Sequence, residues 1–154
     1  MRLYYLFLSI IMALWEIEIE GIAGWASNLP TKKFMIENRV VWTNYHTYFA
    51  MFTFLMFHQV FLFRDWDLPT ERKILSEYTK FFIIEDTLWF ALNCKWKKLD
   101  QKNQLDWWRE PKILDGIPVF YFPVLLLSYL LNPQNWFFNI GVDFMVVMAL
   151  QLVV

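Results

Sequence analysis

Two adjacent carboxyls, Glu85 and Asp86, sit inside the apolar run Phe81-Phe-Ile-Ile-Glu-Asp-Thr-Leu-Trp-Phe-Ala-Leu-Asn93. The run is long enough to be helical, and neighbouring side chains on a helix diverge by about 100°. The two acids therefore need partners in different directions. An apolar helix carrying both must be surrounded by other elements.

The rest of the chain supplies such elements. Hydrophobic residues make up 58% of the 154 positions and aromatics 21%, more apolar than an ordinary soluble domain. Apolar stretches recur at helical length, which predicts an all-α, integral membrane helical bundle with four to five transmembrane helices. The expected spans are 3–20, 42–63, 74–93, 116–131 and 136–154, in a single domain. Met1 to Trp15 has the look of a signal peptide, but no small-residue cleavage pattern follows, and an uncleaved first span is expected.

Between the spans, Gly21, Gly24 and Pro30 predict a shaped loop, with a short surface helix before Val41. Asp67-Leu-Pro69 is a helix-start signal for the third helix, and Asn93 ends it. Lys95 to Asp115 reads as a surface loop, with Trp107 and Trp108 in it. Pro118 and Pro123 kink the start of the fourth span. Asn132-Pro133-Gln134-Asn135 is a turn.

The loops of 21–41 and 94–115 carry more Lys and Arg than the others, so the positive-inside rule predicts them to be cytoplasmic and the N-terminus outside. Several polar residues then share one leaflet. A rise of about 1.5 Å per residue puts Glu16 and His46 about 6–7 Å inside it, and Glu85 and Asp86 about 10–12 Å. Glu20, four residues after Glu16, lies on the same helix face. Asn93 and Asp115 lie at helix ends on that side, as do Trp25, Trp42, Trp89 and Trp96. The candidate cluster is Glu16, Glu20, His46, Glu85, Asp86 and Asn93.

An ionised acid at mid-membrane costs about 2.5–3.5 kcal/mol, so such residues face partners or form sites. One reading is structural, with the carboxyls hydrogen-bonded to His46, Tyr45 or Asn93 to lock the bundle. A metal site would draw on Glu16, Glu20, His46, Glu85 and Asp86, whose oxygens and nitrogens suit iron, manganese or zinc. The Glu-x-x-His pairs of di-iron bundles are absent. A proton path would add Asp143. A bis-histidine haem is excluded within one chain, because His46 and His58 stand about 18 Å apart along one helix. No other cofactor is expected.

With one cysteine, Cys94, neither a disulfide within the chain nor a cysteine-based zinc site can form. A net charge of −1 gives no reason to expect a nucleic-acid partner. Phosphate loops, nucleophile elbows and dinucleotide fingerprints are missing.

Several pieces resemble a group of small uncharacterised polytopic membrane proteins of uncultured prokaryotes. These are Glu16-Ile-Glu-Ile-Glu20-Gly21, Gly24-Trp25-Ala26, Leu29-Pro30-Thr31, Tyr45-His46 and Glu85-Asp86-x-x-Trp89-Phe90-x-Leu92-Asn93. A proline commonly follows that last Asn in the group, where this chain has Cys94. The resemblance implies a membrane fold, singles out the same acids and carries no mechanism.

The function expected is a non-enzymatic subunit or scaffold of a membrane assembly. Its partners would be lipid and other membrane protein subunits, or further copies of itself. The alternative is a membrane-embedded enzyme or carrier that handles a lipid-like molecule through the inner-leaflet carboxylates and His46.

Overall fold

The computed structural model describes residues 2–21, 26, 29–36, 39–93, 112–114, 117–118 and 121–153. Five α-helices dominate it. Helix α1 (Arg2–Glu20) contains neither glycine nor proline to break it. It stops at Gly21, which takes a left-handed φ of +67° and donates its N–H to the Ile17 carbonyl at 2.9 Å.

A short helix was expected before Val41; the structure has a β-hairpin instead. Strands β1 (Lys33–Ile36) and β2 (Arg39–Thr43) pair antiparallel, with Phe34 opposite Trp42. β-Branched and aromatic residues fit a strand better than a helix, and here the pairing decides the outcome. The hairpin leads directly into α2 (Asn44–His58). Thr43 caps α2 by accepting the His46 N–H on its side chain, and the Asn44 N–H donates to the Lys32 carbonyl.

Helix α2 closes in a 3₁₀ turn, Gln59–Leu62, so its α-helical part is shorter than the expected span 42–63. The 25-residue α3 (Leu68–Leu92) follows, with Asp67 as N-cap, Pro69 in the first turn and Asn93 as C-cap. Strands β3 (Lys112–Leu114) and β4 (Ile117–Pro118) form a second small hairpin where the fourth span was expected to begin. Helix α4 accordingly covers only Tyr121–Leu131. Pro123 falls in its first turn, where a missing N–H is tolerated. Helix α5 (Trp136–Val153) ends the bundle. Cys94, Trp25, Trp96, Trp107, Trp108 and Asp115, and the surface loop expected from Lys95, lie outside the described residues, apart from Lys112–Leu114 at the end of that loop.

Helix α3 packs against α1, α2, α4 and α5 and belongs to both apolar cores. One core joins Ala13 and Ile17 to Ile84, Leu88 and Trp89, and to Trp136 and Ile140 of α5. The other is aromatic. Tyr5 stacks on Phe57 at 4.1 Å between ring centres, and Phe57 meets Phe81 edge-on at 5.3 Å. Such ring pairs add about 0.5–1.5 kcal/mol each beyond burial.

Among the described residues, no helix is long and apolar enough to cross a membrane. The reasons differ by helix. Helix α1 places three glutamates in its last turns, and the first half of α3 is rich in charge. The 15 residues of α2 reach only about 22 Å, and α4 is shorter still. The helical bundle stands; four to five crossing helices do not follow from its geometry.

A hydroxyl network sews α3 to α4 and α5. Ser76 Oγ donates to the Ser128 carbonyl at 2.8 Å, Ser128 Oγ to the Ser76 carbonyl at 3.0 Å, and Trp136 Nε1 to Ser128 Oγ at 2.9 Å. Both serines are fully buried. Ser128→Ala strands the indole N–H and is expected to destabilise the fold by about 1–3 kcal/mol, read as a lower thermal or denaturant midpoint.

The cap of α3 has a pH signature. Asp67 is held below its ordinary carboxylate range, first by hydrogen bonds from Thr70 and then by Arg64. A depressed pKa in the fold means that this stabilisation is present above the unfolded-state value and fades as pH falls through the folded one. Asp67→Ala is expected to melt lower than wild type at neutral pH. The gap should shrink as pH drops below the usual range of aspartate, followed by thermal melts across pH.

Candidate functional site

The polar centre forms where the end of α1, the start of α2 and the second half of α3 meet. Glu16 and Glu20 lie four residues apart on one face of α1, and both are buried. Glu20 is held from behind: its Oε1 accepts the Ala26 N–H at 2.6 Å. Ala26 is fully buried and takes a left-handed φ of +49°, a conformation that costs a non-glycine residue about 1–2 kcal/mol. Ala26 is thereby placed against the carboxyl.

Helix α2 delivers His46 to the same place. Its Nε2 lies 3.6 Å from Glu20 Oε1, while Nδ1 meets Thr43 Oγ1 at 2.7 Å. Thr43 therefore performs two tasks, capping α2 and fixing the imidazole plane. The hairpin positions both, since the Tyr45 N–H also bonds to Thr31 Oγ1 at 3.2 Å. One ligand atom from each of Glu16, Glu20 and His46 falls within 4.8 Å of the others.

Helix α3 completes the centre with Glu85, which is only 2% exposed and whose carboxyl lies against that of Glu16. Glu85 Oε1 is buried and makes no hydrogen bond. The buried Tyr45 hydroxyl also approaches Glu16. Like charges packed this closely need protons or a cation between them.

The six expected residues thus divide. Glu16, Glu20, His46 and Glu85 converge. Asp86 turns the other way and accepts the Tyr121 hydroxyl of α4 at 3.1 Å. Asn93 serves the backbone: its Nδ2 donates to the Gly21 carbonyl at 3.0 Å, tying the end of α3 to the end of α1. Sequence reading overlooked Thr43, although a threonine three residues before His46 at a helix start is a capping signal. The Ala26 N–H carries no such signal.

Other polar groups form separate centres. Glu77 and Lys80 of α3 are buried as an ion pair at 2.8 Å. They line a small cavity with Tyr5, Ser9 and Asp143. Asp143 therefore faces this pair and does not line up behind Glu85. His58 pairs with Glu71 at 3.0 Å, near the opposite end of α2 from His46.

Comparison with known proteins gives no matching family model, no matching curated protein and no matching solved structure. The site must be judged on its own residues.

The Asn93 bridge is what closes the ends of α1 and α3 over the acids. Asn93 is fully buried, and Asn93→Ala leaves the part-buried Gly21 carbonyl without that donor. A loss of about 1–3 kcal/mol is expected in chemical denaturation. Asn93→Asp, which keeps the volume but brings an acceptor to an acceptor, should do no better.

Proposed function

We propose that this chain is a small membrane-embedded helical subunit, non-enzymatic, whose outer surface is covered by lipid and by other membrane protein. The observation that carries this reading is the apolar outer face of the bundle. On α1 the residues turned away from the core are Leu3, Phe7, Ile11 and Leu14, spaced as one helical stripe. On α2 the outward stripe is Tyr48, Met51, Phe52 and Leu55. Leu126, Leu127 and Leu130 of α4 and Phe137, Met145 and Met148 of α5 continue it. A bundle in water places charges on such faces, and apolar area this extensive marks contact with lipid or protein.

The charges instead flank the apolar zone. Lys32 and Lys33 precede and open the first hairpin; Arg64, Asp65 and Asp67 occupy the turn beyond α2. The short helices favour the subunit half of the reading, because a segment shorter than the bilayer is accommodated by thinning the lipid or by associating with neighbours. The resemblance to small polytopic membrane proteins points the same way.

Fractionation of cells expressing the full chain tests both halves. The protein is expected in the membrane pellet, resistant to alkaline carbonate and extracted by mild detergent. Native mass measurement should then give a particle holding more than one 18.8 kDa chain or a second protein. A monodisperse protein in the soluble fraction without detergent would overturn the membrane placement. A lone monomer under every mild extraction would overturn the subunit assignment.

A further inference from the structure

We infer that Glu16, Glu20 and His46 bind one divalent first-row transition-metal ion between α1 and α2, with Glu85 of α3 lying against Glu16 beside it. This goes beyond the membrane reading and does not rest on it, since the four side chains converge whatever surrounds the bundle.

The spacing is the first argument. At 3.6 Å, His46 Nε2 and Glu20 Oε1 are too far apart for a hydrogen bond. Two donors each about 2.0–2.2 Å from one ion, at the angles of a four-coordinate site, stand about 3.3–3.6 Å apart. The 4.8 Å span of the Glu16, Glu20 and His46 ligand atoms exceeds that by about 1.2–1.5 Å, which rotation of a glutamate side chain closes.

The second argument is independent of the cluster. Glu85 Oε1 is a buried acceptor with no hydrogen-bond donor, on a side chain 2% exposed that lies against Glu16. An unsatisfied carboxylate oxygen inside a protein costs several kcal/mol unless a cation or a proton meets it. A cation held by Glu16, against which Glu85 lies, lowers that cost.

The third argument is the support behind the ligands. Metal-bound histidines have their second ring nitrogen fixed by a partner, and here Thr43 Oγ1 sits 2.7 Å from Nδ1. With the proton on Nδ1 the Nε2 lone pair is turned toward the carboxylates. The Ala26 N–H orients Glu20 in the same way. One imidazole and two carboxylates favour Zn²⁺, Fe²⁺ or Mn²⁺, the imidazole disfavouring Mg²⁺ and Ca²⁺.

The test uses the full chain in mild detergent, stripped with a chelator. Dialysis against Zn²⁺ should load one ion per chain by elemental analysis and raise the thermal midpoint. Co²⁺ added to the stripped wild-type protein should develop the visible bands of a low-coordinate nitrogen and oxygen site. This readout needs no substitution, so a variant that fails to fold cannot obscure it. His46→Ala and Glu85→Gln are each expected to weaken Zn²⁺ binding by at least about tenfold, and Thr43→Val by about 10–100-fold through loss of ring orientation. Asp86→Asn, turned toward Tyr121, should bind as wild type does. A Co²⁺ spectrum that stays that of the aqueous ion would overturn the inference. So would Zn²⁺ uptake unchanged in the folded His46→Ala and Glu85→Gln proteins.

Discussion

Helix α3 is buried on several sides through its second half, and the divergence of Glu85 from Asp86 sets what must surround it. A single neighbour cannot satisfy both acids. Glu85 is met by α1, with α2 close beside it, and Asp86 by Tyr121 of α4. The apolar side chains between them, Ile84, Leu88 and Trp89, then fill the space against α1 and α5. The bundle is organised by the demand of two polar groups as much as by apolar burial.

Different chemistry holds the other half of α3. There the contacts are hydroxyls and rings: the Ser76–Ser128–Trp136 network toward α4 and α5, and the Tyr5–Phe57–Phe81 stack toward α1 and α2. Serine is small enough to let two helix backbones approach, and each hydroxyl here finds a backbone carbonyl. The Glu77–Lys80 pair lies between these zones, shielded by Tyr5 and Asp143. A helix with this many polar groups tolerates burial only because the partners come from four separate elements.

Much of this plan is visible in the residues alone. Asp67-Leu-Pro69 and Asn93 mark the ends of α3 because capping and proline act locally, within a few residues of their cause. The Glu16–Glu20 face and the divergence of Glu85 from Asp86 follow from helical geometry. What is not visible depends on long-range pairing. The hairpin of Lys33–Thr43 is decided by Phe34 meeting Trp42 across a turn, a contact that no helical periodicity encodes. Ser76 and Ser128 are 52 positions apart and carry no pattern. Glu77 and Lys80 look solvated on α3 considered alone; α1 and α5 cover them. Whether lipid covers the outside lies beyond helix length, because the helices are short while their outer faces are apolar.

The four converging side chains come from α1, α2 and α3, and this has a consequence for how the chain is made. Synthesis proceeds from the N-terminus. Glu16 and Glu20 leave the ribosome first, His46 follows, and Glu85 comes a further 39 positions later. Until then the two α1 glutamates lack the Glu85 half of their centre, and Gly21 lacks its Asn93 strap. Before α3 is made, α1 and α2 alone leave that centre incomplete.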